Sequence, residues 1–253
     1  MTSHSKNLLG AAVTSVARAT TGTIKNTTGK DCTIVAIDAV ALPLLTTVVN
    51  SGGLVELEND ATDIIPCHFC IGGATAVGTG AVDLVTETRK VNLPFPRDSV
   101  MTVYYNPDNA VSQKLSITLH FIDSAFSGRK TRMMGKRGPA ITQLTIAADH
   151  VTIDVPAEKG GRLRRIETIV YGVTTTVVNS GGLVALKNVS ASVSWEPTEF
   201  ISPGGTCITS GAHLVSPYIV PVDLHLPSGS KVQLDYTPQN ALSQRLGLTI
   251  VWE

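Results

Sequence analysis

The sequence predicts an all-β protein of two tandem β-sandwiches, and two observations lead to this prediction. The first is an internal repeat, in which the segment 47–57 returns at 176–186 with the shared core Val-Val-Asn-Ser-Gly-Gly-Leu-Val. The second is an alternation of apolar and polar side chains with a period of two, the pattern of a strand with one buried face. A repeat of about 130 residues is far longer than a solenoid unit of about 20 to 50 residues, so it indicates a duplicated domain.

A second repeated segment shows how far the duplication extends. Asn-Ala-Val-Ser-Gln-Lys-Leu at 109–115 returns as Asn-Ala-Leu-Ser-Gln-Arg-Leu at 240–246, an offset of 131 residues against 129 for the first segment. One two-residue insertion therefore separates the two registers. The repeats predict the following division of the chain: an N-terminal arm at 1–20, a first domain at 21–123, a basic, glycine-containing linker at 124–142 and a second domain at 143–253.

The strands are clearest near the end of each copy. Every second residue is large and apolar in 115–121 and again in 246–252, which predicts a final strand with one buried face. The preceding segments, 101–105 and 232–236, alternate in the same way. Each copy of roughly 100 residues holds about eight short apolar runs, the number expected of a jelly roll or a related sandwich.

Turn-forming residues separate these runs. Asn106-Pro107 and Thr237-Pro238 fall between the last two strands of each copy, where proline would break a central strand. The paired glycines at 52–53 and 181–182 indicate turns or bulges between Val-rich runs.

The first 20 residues carry a different pattern. Apolar residues fall on one helical face, so we expect a short amphipathic helix in an arm that docks on another surface. They are Leu8, Leu9, Ala12, Val13 and Val16. A signal peptide is the less favoured interpretation, because Thr14 and Ser15 interrupt the apolar run.

The segment between the copies is the one strongly basic stretch. Five positive charges lie within nine residues, flanked by Gly and Pro: Arg129, Lys130, Arg132, Lys136 and Arg137. Such a run could contact phosphates. We favour a solvated linker between domains, because no aromatic residues are interleaved with the charges.

Composition limits the classes of partner. The chain has 253 residues, of which 43% are hydrophobic and 16% charged, and 20 basic residues balance 20 acidic ones. This is a globular composition, and zero net charge predicts no strong field for nucleic acid or anionic membranes. A neutral protein is instead prone to self-association.

The residue types that carry metal or redox chemistry are not repeated between the copies. None of the cysteines has a cysteine at its repeat equivalent, and none of the histidines has a histidine there; they are Cys32, Cys67, Cys70, Cys207, His4, His68, His120, His150, His213 and His225. The Cys67–Cys70 spacing is that of zinc and redox motifs, but a zinc site needs a second pair. We therefore predict buried structural cysteines, and no metal site, cofactor site or catalytic residue.

Other ligand-binding patterns are weak. The glycine-rich segments 72–80 and 203–211 lack the Gly-Lys-Ser/Thr end of a phosphate-binding loop, so we expect flexible loops that approach a neighbour closely. Trp195 could lie exposed at a loop and contact a glycan, but aromatic residues are only 5% of the chain.

The tandem sandwiches, the repeated Asn-Ser-Gly-Gly-Leu-Val and Asn-Ala-Val/Leu-Ser-Gln-Lys/Arg-Leu segments and the scarcity of catalytic groups resemble the double jelly-roll major capsid proteins of icosahedral viruses, the lineage from bacteriophages and archaeal viruses to adenovirus. The resemblance covers the whole chain. It implies a structural virion protein, not an enzyme, assembled in the host cytoplasm as a homotrimer whose six jelly rolls form a pseudo-hexagonal tile that contacts other virion proteins. It also implies that the N-terminal arm reaches an adjacent subunit or an inner layer, and that the arm or the five basic side chains at 129–137 could contact the genome or an inner membrane. The alternatives are a tandem binding or adhesion module for glycans or cell surfaces and, less favoured, a two-domain cupin-like metal enzyme.

Overall fold

The computed structural model describes residues 2–44, 52–64, 67–75, 86–108, 112–172, 181–190, 195, 198–204, 213–215, 217–240 and 244–253. These residues form the strands β1 (Ser3–Val13), β2 (Ala19–Lys25), β3 (Cys32–Pro43), β4 (Gly53–Asn59), β5 (His68–Ile71), β6 (Gly73–Thr75), β7 (Glu87–Phe95), β8 (Val100–Pro107), β9 (Gln113–Ile122), β10 (Arg132–Arg137), β11 (Ala147–Asp154), β12 (Gly161–Gly172), β13 (Gly181–Asn188), β14 (Thr198–Pro203), β15 (His213–Val215), β16 (Tyr218–Leu226), β17 (Lys231–Pro238) and β18 (Gln244–Trp252). In this part of the chain no helix is long and apolar enough to cross a membrane.

The strands build two jelly rolls with the same topology. The first has the sheets β1-β9-β3-β7 and β2-β8-β4-β5, and the second has β10-β18-β12-β16 and β11-β17-β13-β14. Adding nine to each strand number of the first jelly roll gives the second. Eight antiparallel strands in two facing four-stranded sheets with these crossovers are a jelly roll. The predicted fold class is therefore confirmed.

Each jelly roll has its own apolar core between its two sheets. Leu115, Ile117, Leu119 and Phe121 of β9 are all buried in the first core, as their alternation predicts. Their counterparts in β18 are buried in the second core. β18 differs in one respect, because the residues of its opposite face are buried as well. The alternation predicted one buried face, and the second is covered by the first jelly roll.

The structure explains why the two longest sequence repeats are shared. In the first jelly roll the buried side-chain oxygen of Gln113 accepts hydrogen bonds from the Tyr105 hydroxyl (2.8 Å) and from the backbone N–H of Gly52 (3.2 Å). In the second, Gln244 accepts from the Tyr236 hydroxyl (2.9 Å) and from Gly181 (3.1 Å).

This duplicated bond set ties the start of the final strand of each jelly roll to the glycine pair. The second glycine of each pair also permits a close backbone approach. A Cβ atom on Gly53 would lie 2.3 Å from the carbonyl oxygen of Asn106, and one on Gly182 would lie 2.1 Å from that of Thr237. The repeats thus encode a folding unit. The residues at 50–51, 109–111, 179–180 and 241–243 lie outside the described part.

The predicted N-terminal arm is wrong. Ser3–Val13 is strand β1, which pairs antiparallel with β9 from Ser3–Ile122 to Val13–Gln113. A register shift between Leu9 and Ala12 breaks the period of two, so Val13 turns into the core while Leu9 stays exposed. That irregular spacing mimics a helical face in the sequence.

The predicted linker is also wrong at its centre. Arg132–Arg137 forms β10, an edge strand that pairs with β18 in the second jelly roll. Met133 and Gly135 are buried there, because β10 also lies against the first jelly roll. The strands of the first jelly roll thus span 3–122 and those of the second 132–252.

Candidate functional site

The most elaborate site of the described residues is the contact between the two jelly rolls. The outer face of β18 and the edge strand β10 pack against β5, the edge strand of the first jelly roll. The backbone N–H of Cys70 donates to the hydroxyl of Thr249 at 2.9 Å. Gly247 lies so close that a Cβ atom there would be 3.3 Å from the Cβ of Cys70. His68 contributes Nδ1, which lies 3.1 Å from both the N and the O of Gly135.

An apolar cluster forms the centre of this contact. Leu54 and Cys70 of the first jelly roll pack against Ile169 and Tyr171 of the second. The Tyr171 hydroxyl donates to the carbonyl oxygen of Ile71 at 2.8 Å, so its polar end is satisfied. Burial raises the pKa of Tyr171 well above its ordinary value, which keeps the phenol neutral.

A buried ion network lies beside the cluster. The Arg89 guanidinium donates through Nη2 to Glu87 (2.9 Å) and through Nε to Glu167 (3.0 Å), and Arg165 donates to the other oxygen of Glu167 at 2.8 Å. Arg89 is on β7 and Glu167 on β12, so the network joins the two jelly rolls.

Burial and the attraction between opposite charges act against each other on the pKa values of this network. Burial raises the pKa of Glu87 despite the opposing attraction of Arg89. For Arg89 burial acts to lower the pKa, but the carboxylates of Glu167 and Glu87 outweigh it and raise the pKa. Nη2 of Arg89 also donates to the carbonyl oxygen of Cys70 at 2.7 Å. These acids are engaged in structural pairs, because a buried charge is tolerated only with such partners.

A second ionic contact involves part of the basic segment. Asp108, at the end of β8, accepts hydrogen bonds from Arg137 (3.1 Å) and from Arg245 (2.9 Å) of the second jelly roll. Its carboxylate is almost fully buried. The short strands β6 and β15 add a two-stranded sheet between the jelly rolls, in which His213 pairs with Thr75 and Val215 with Gly73.

The basic segment is therefore only in part a solvated linker. Arg137 belongs to the interdomain contact, the Lys136 ammonium donates to the carbonyl oxygen of Thr152 at 2.8 Å, and Lys130 donates to that of Asp63. Arg132 is half-buried, and Arg129 is exposed. The structure brings these five side chains to different places rather than into one patch.

The cysteines take the structural places that the sequence predicts, as far as they are described. Cys32, Cys67 and Cys70 are buried and unpaired, and Cys207 lies outside the described residues. Burial raises the pKa of Cys67 to about 12 and that of Cys70 to about 11, so both are protonated thiols at neutral pH. Within the described ranges, no three His, Cys, Asp or Glu side chains are grouped to hold a metal ion.

The histidines serve separate local roles. His120 lies on the polar face of β9, as predicted, and its Nε2 is 2.7 Å from Asp38. His4 contacts Asp123 at 2.7 Å, and His225 is exposed. His150 is buried beside Tyr236 and accepts from the backbone N–H of Leu246 at 3.4 Å. Burial lowers the pKa of His150 to about 4.

The prediction that Trp195 lies exposed at a loop is wrong. Trp195 is 9% exposed, packs in the second core and donates through its indole N–H to the carbonyl oxygen of His225 at 3.0 Å. A tryptophan followed by Glu-Pro suggested a loop tip, but its ring covers the end of the core. Most of the glycine-rich segments, 76–80 and 205–211, lies outside the described residues, so the prediction of flexible loops there stays a prediction.

What the sequence did not indicate is the contact itself. The outer face of the second jelly roll's β12 and β18 meets the edge of the first, so two different surfaces of the repeated domain are joined. The corresponding outer face of the first jelly roll is open and carries Asp38, which accepts from Thr88 (2.6 Å) and lies against His120. Burial acts to raise the pKa of Asp38, but these two hydrogen bonds outweigh it and lower the pKa.

Comparison with known proteins found similarity among solved structures and none among family models or curated sequences. No protein-family model and no curated protein sequence matches the chain. Among solved structures, the chain is similar to one from the atomic structure of Sulfolobus Turreted Icosahedral Virus, with a TM-score of 0.40 and 13% identity over 99% of this chain and 90% of that one. It is similar to the major capsid protein P2 of bacteriophage PM2, with a TM-score of 0.38 and 9% identity over 98% and 97%. It is also similar to recombinant peptide:N-glycanase F, with a TM-score of 0.46 and 10% identity over 98% and 95%.

Proposed function

We propose that the chain is a structural virion protein, a major capsid protein that assembles as a homotrimer, and that its six jelly rolls form a pseudo-hexagonal tile of an icosahedral shell. The observation that carries the proposal is the contact between the two jelly rolls. It joins different surfaces of a repeated domain, and such head-to-tail contacts generate rings when the rotation closes.

What was duplicated also supports a building role. The hydrogen-bonded unit around Gln113 recurs around Gln244, and each copy has an apolar core between its two sheets. The buried acids Glu87 and Glu167 hold the jelly rolls together through Arg89. In this proposal the sandwich edges make lattice contacts, and assembly takes place in the host cytoplasm before the protein resides in the virion.

The partners change with the corrected N-terminus. Residues 3–13 are committed to a sheet, so they do not reach an adjacent subunit as a free arm. Of the five basic side chains, Arg129 and Lys136 are exposed, and we assign any contact with a genome or an inner membrane to these two. The glycan-binding alternative loses its aromatic candidate, because Trp195 is in the core.

The oligomeric state of purified protein tests this function. Mass photometry or light scattering is expected to show three copies of the 26.6-kDa chain, about 80 kDa, and negative-stain micrographs at higher concentration should show tiles or shells. A strict monomer at high micromolar concentration would contradict the proposal. Release of N-linked glycans by the pure protein would favour an enzyme instead.

A further inference from the structure

Each of the two surfaces that meet between the jelly rolls has a counterpart, by the internal repeat, on the other jelly roll. The apolar centre of this contact joins Leu54 and Cys70 of the first jelly roll to Ile169 and Tyr171 of the second. The offsets of the two sequence repeats identify the counterpart of every one of these residues on the other jelly roll. The counterparts are Leu183, Ile201, Val40 and Leu42.

The strand registers confirm this correspondence. Leu54 pairs with Cys70 across β4 and β5, and Leu183 pairs with Ile201 across β13 and β14. On the opposite surface, Ile169 pairs with Gly247, while Val40 pairs with Ser116. The equivalence is therefore structural as well as sequential.

All four counterparts are apolar and accessible in the single chain. Ile201 is 70% exposed and Leu183 is 43% exposed, whereas Cys70 is buried at the equivalent place. Val40 and Leu42 are half-buried on the outer face of the first jelly roll, whereas their counterparts Ile169 and Tyr171 are fully buried. Each half of the intrachain contact thus has a counterpart elsewhere on the molecule that is less covered.

The open edge of the second jelly roll extends beyond these residues. Tyr218 and Ile219 of the edge strand β16 are 40% and 52% exposed, and the Tyr218 ring lies 6.1 Å from that of Phe200. Uncovered apolar residues on two neighbouring edge strands are a template for association. Their counterparts on the first jelly roll, Glu87 and Thr88, are polar.

We propose that the edge centred on Leu183 and Ile201 docks on the outer face around Val40 and Leu42 of a second copy of this chain. The docking repeats, between chains, the contact that joins the two jelly rolls within one chain. This proposal rests on the proposed function and names the surface by which the trimer closes. A contact of one kind, alternating within and between three chains, gives a closed ring of six domains.

The polar surroundings fit this docking. The buried pair Arg89–Glu167 has the counterparts Val220 and Asp38, so no matching ion pair forms between chains. Asp38 is instead held by Thr88 and His120 of its own face. Its carboxylate therefore keeps partners when the apolar edge of the next chain covers it, as a buried charge requires.

A designed disulfide tests the geometry. Within the chain, a Cβ at Gly247 would lie 3.3 Å from the Cβ of Cys70, close to the range of about 3.5 to 4.5 Å found in disulfides. The counterparts between chains are Ser116 and Ile201. We expect the double variant Ser116→Cys/Ile201→Cys, with Cys207→Ser in the background, to form covalent trimers under mild oxidation. Each single cysteine variant should give no trimer on non-reducing gels.

A charge substitution tests the same surface without cross-linking. Ile201→Asp is expected to convert the oligomer to monomer, because docking would bury an unpaired carboxylate. The matched control is Ile146→Asp, since Ile146 is 67% exposed on another part of the second jelly roll. Thermal unfolding followed by circular dichroism should be the same for both variants, which shows that each folds.

The outcomes separate this proposal from the function on which it rests. An assembled wild type whose mass is unaffected by Ile201→Asp, with no cross-linked trimer, overturns the surface and leaves the capsid function standing. Loss of assembly with both aspartate variants overturns it too. A monomeric wild type overturns the proposed function itself.

Discussion

The same hydrogen-bonded unit occurs in both jelly rolls, so one prediction about it can be tested twice in the same protein. In Gln113→Ala, the Tyr105 hydroxyl and the Gly52 N–H lose a buried acceptor. An unmatched buried donor costs about 1 to 3 kcal/mol, so we expect the free energy of unfolding to fall by about 3 kcal/mol. Tyr105→Phe removes one bond and leaves Gly52 with its acceptor, so it should cost about 1 kcal/mol.

The assay is urea unfolding followed by tryptophan fluorescence and circular dichroism, with the transition midpoint and slope fitted together. Gln244→Ala and Tyr236→Phe repeat the test in the second jelly roll, where Gln244 also donates to Asn240 at 3.1 Å and should cost at least as much. The control is Gln143→Ala at an exposed position, expected to change stability by less than about 0.5 kcal/mol. A loss below about 1 kcal/mol for both glutamine variants would refute the reasoning.

Three further predictions concern the buried ionisable groups. Glu167→Leu leaves the Arg89 guanidinium with one carboxylate fewer, so it should lower the free energy of unfolding by about 3 kcal/mol in urea titrations. The pKa of His150 is about 4 in the folded protein, below its unfolded value of about 6.5. Its contribution to the free energy of unfolding is therefore complete above pH 6.5 and is lost as the pH falls towards 4. His150→Gln should make the free energy of unfolding less dependent on pH in this range. Cys67 and Cys70, with pKa values raised to about 12 and about 11, should resist alkylation at pH 8 in the native protein and react after unfolding, as read by peptide mass spectrometry.

Each of these has a contrary result. An unchanged midpoint for Glu167→Leu would mean that the ion network adds nothing to the contact. Equal acid sensitivity of the wild type and His150→Gln would show that His150 titrates normally. Alkylation of Cys70 in the assembled protein would mean that the contact between the jelly rolls opens.

Much of the fold was predictable because apolar and polar residues alternate along a strand that has one buried face. The alternation at 115–121 predicted the buried face of β9, and the two repeated segments contain the glycine and the glutamine of a hydrogen-bonded unit that both copies use. The first strand was missed because its register shift between Leu9 and Ala12 breaks that period. Trp195 was misplaced because a single residue in a short segment carries no periodicity at all.

The sequence by itself determined the duplication, the two cores and the absence of repeated cysteines and histidines, since these depend on residue identity and local spacing. Only the tertiary structure decided which surfaces of the two jelly rolls meet. Thr249 and Val251 have the spacing of a solvent-facing side, yet both are buried against the first jelly roll. Their counterparts Thr118 and His120 stay open, although local spacing is the same. Contacts between residues far apart in the chain set that difference. The counterparts of the contact surfaces, around Ile201 and Val40, are the basis for proposing a second copy of the chain as the partner.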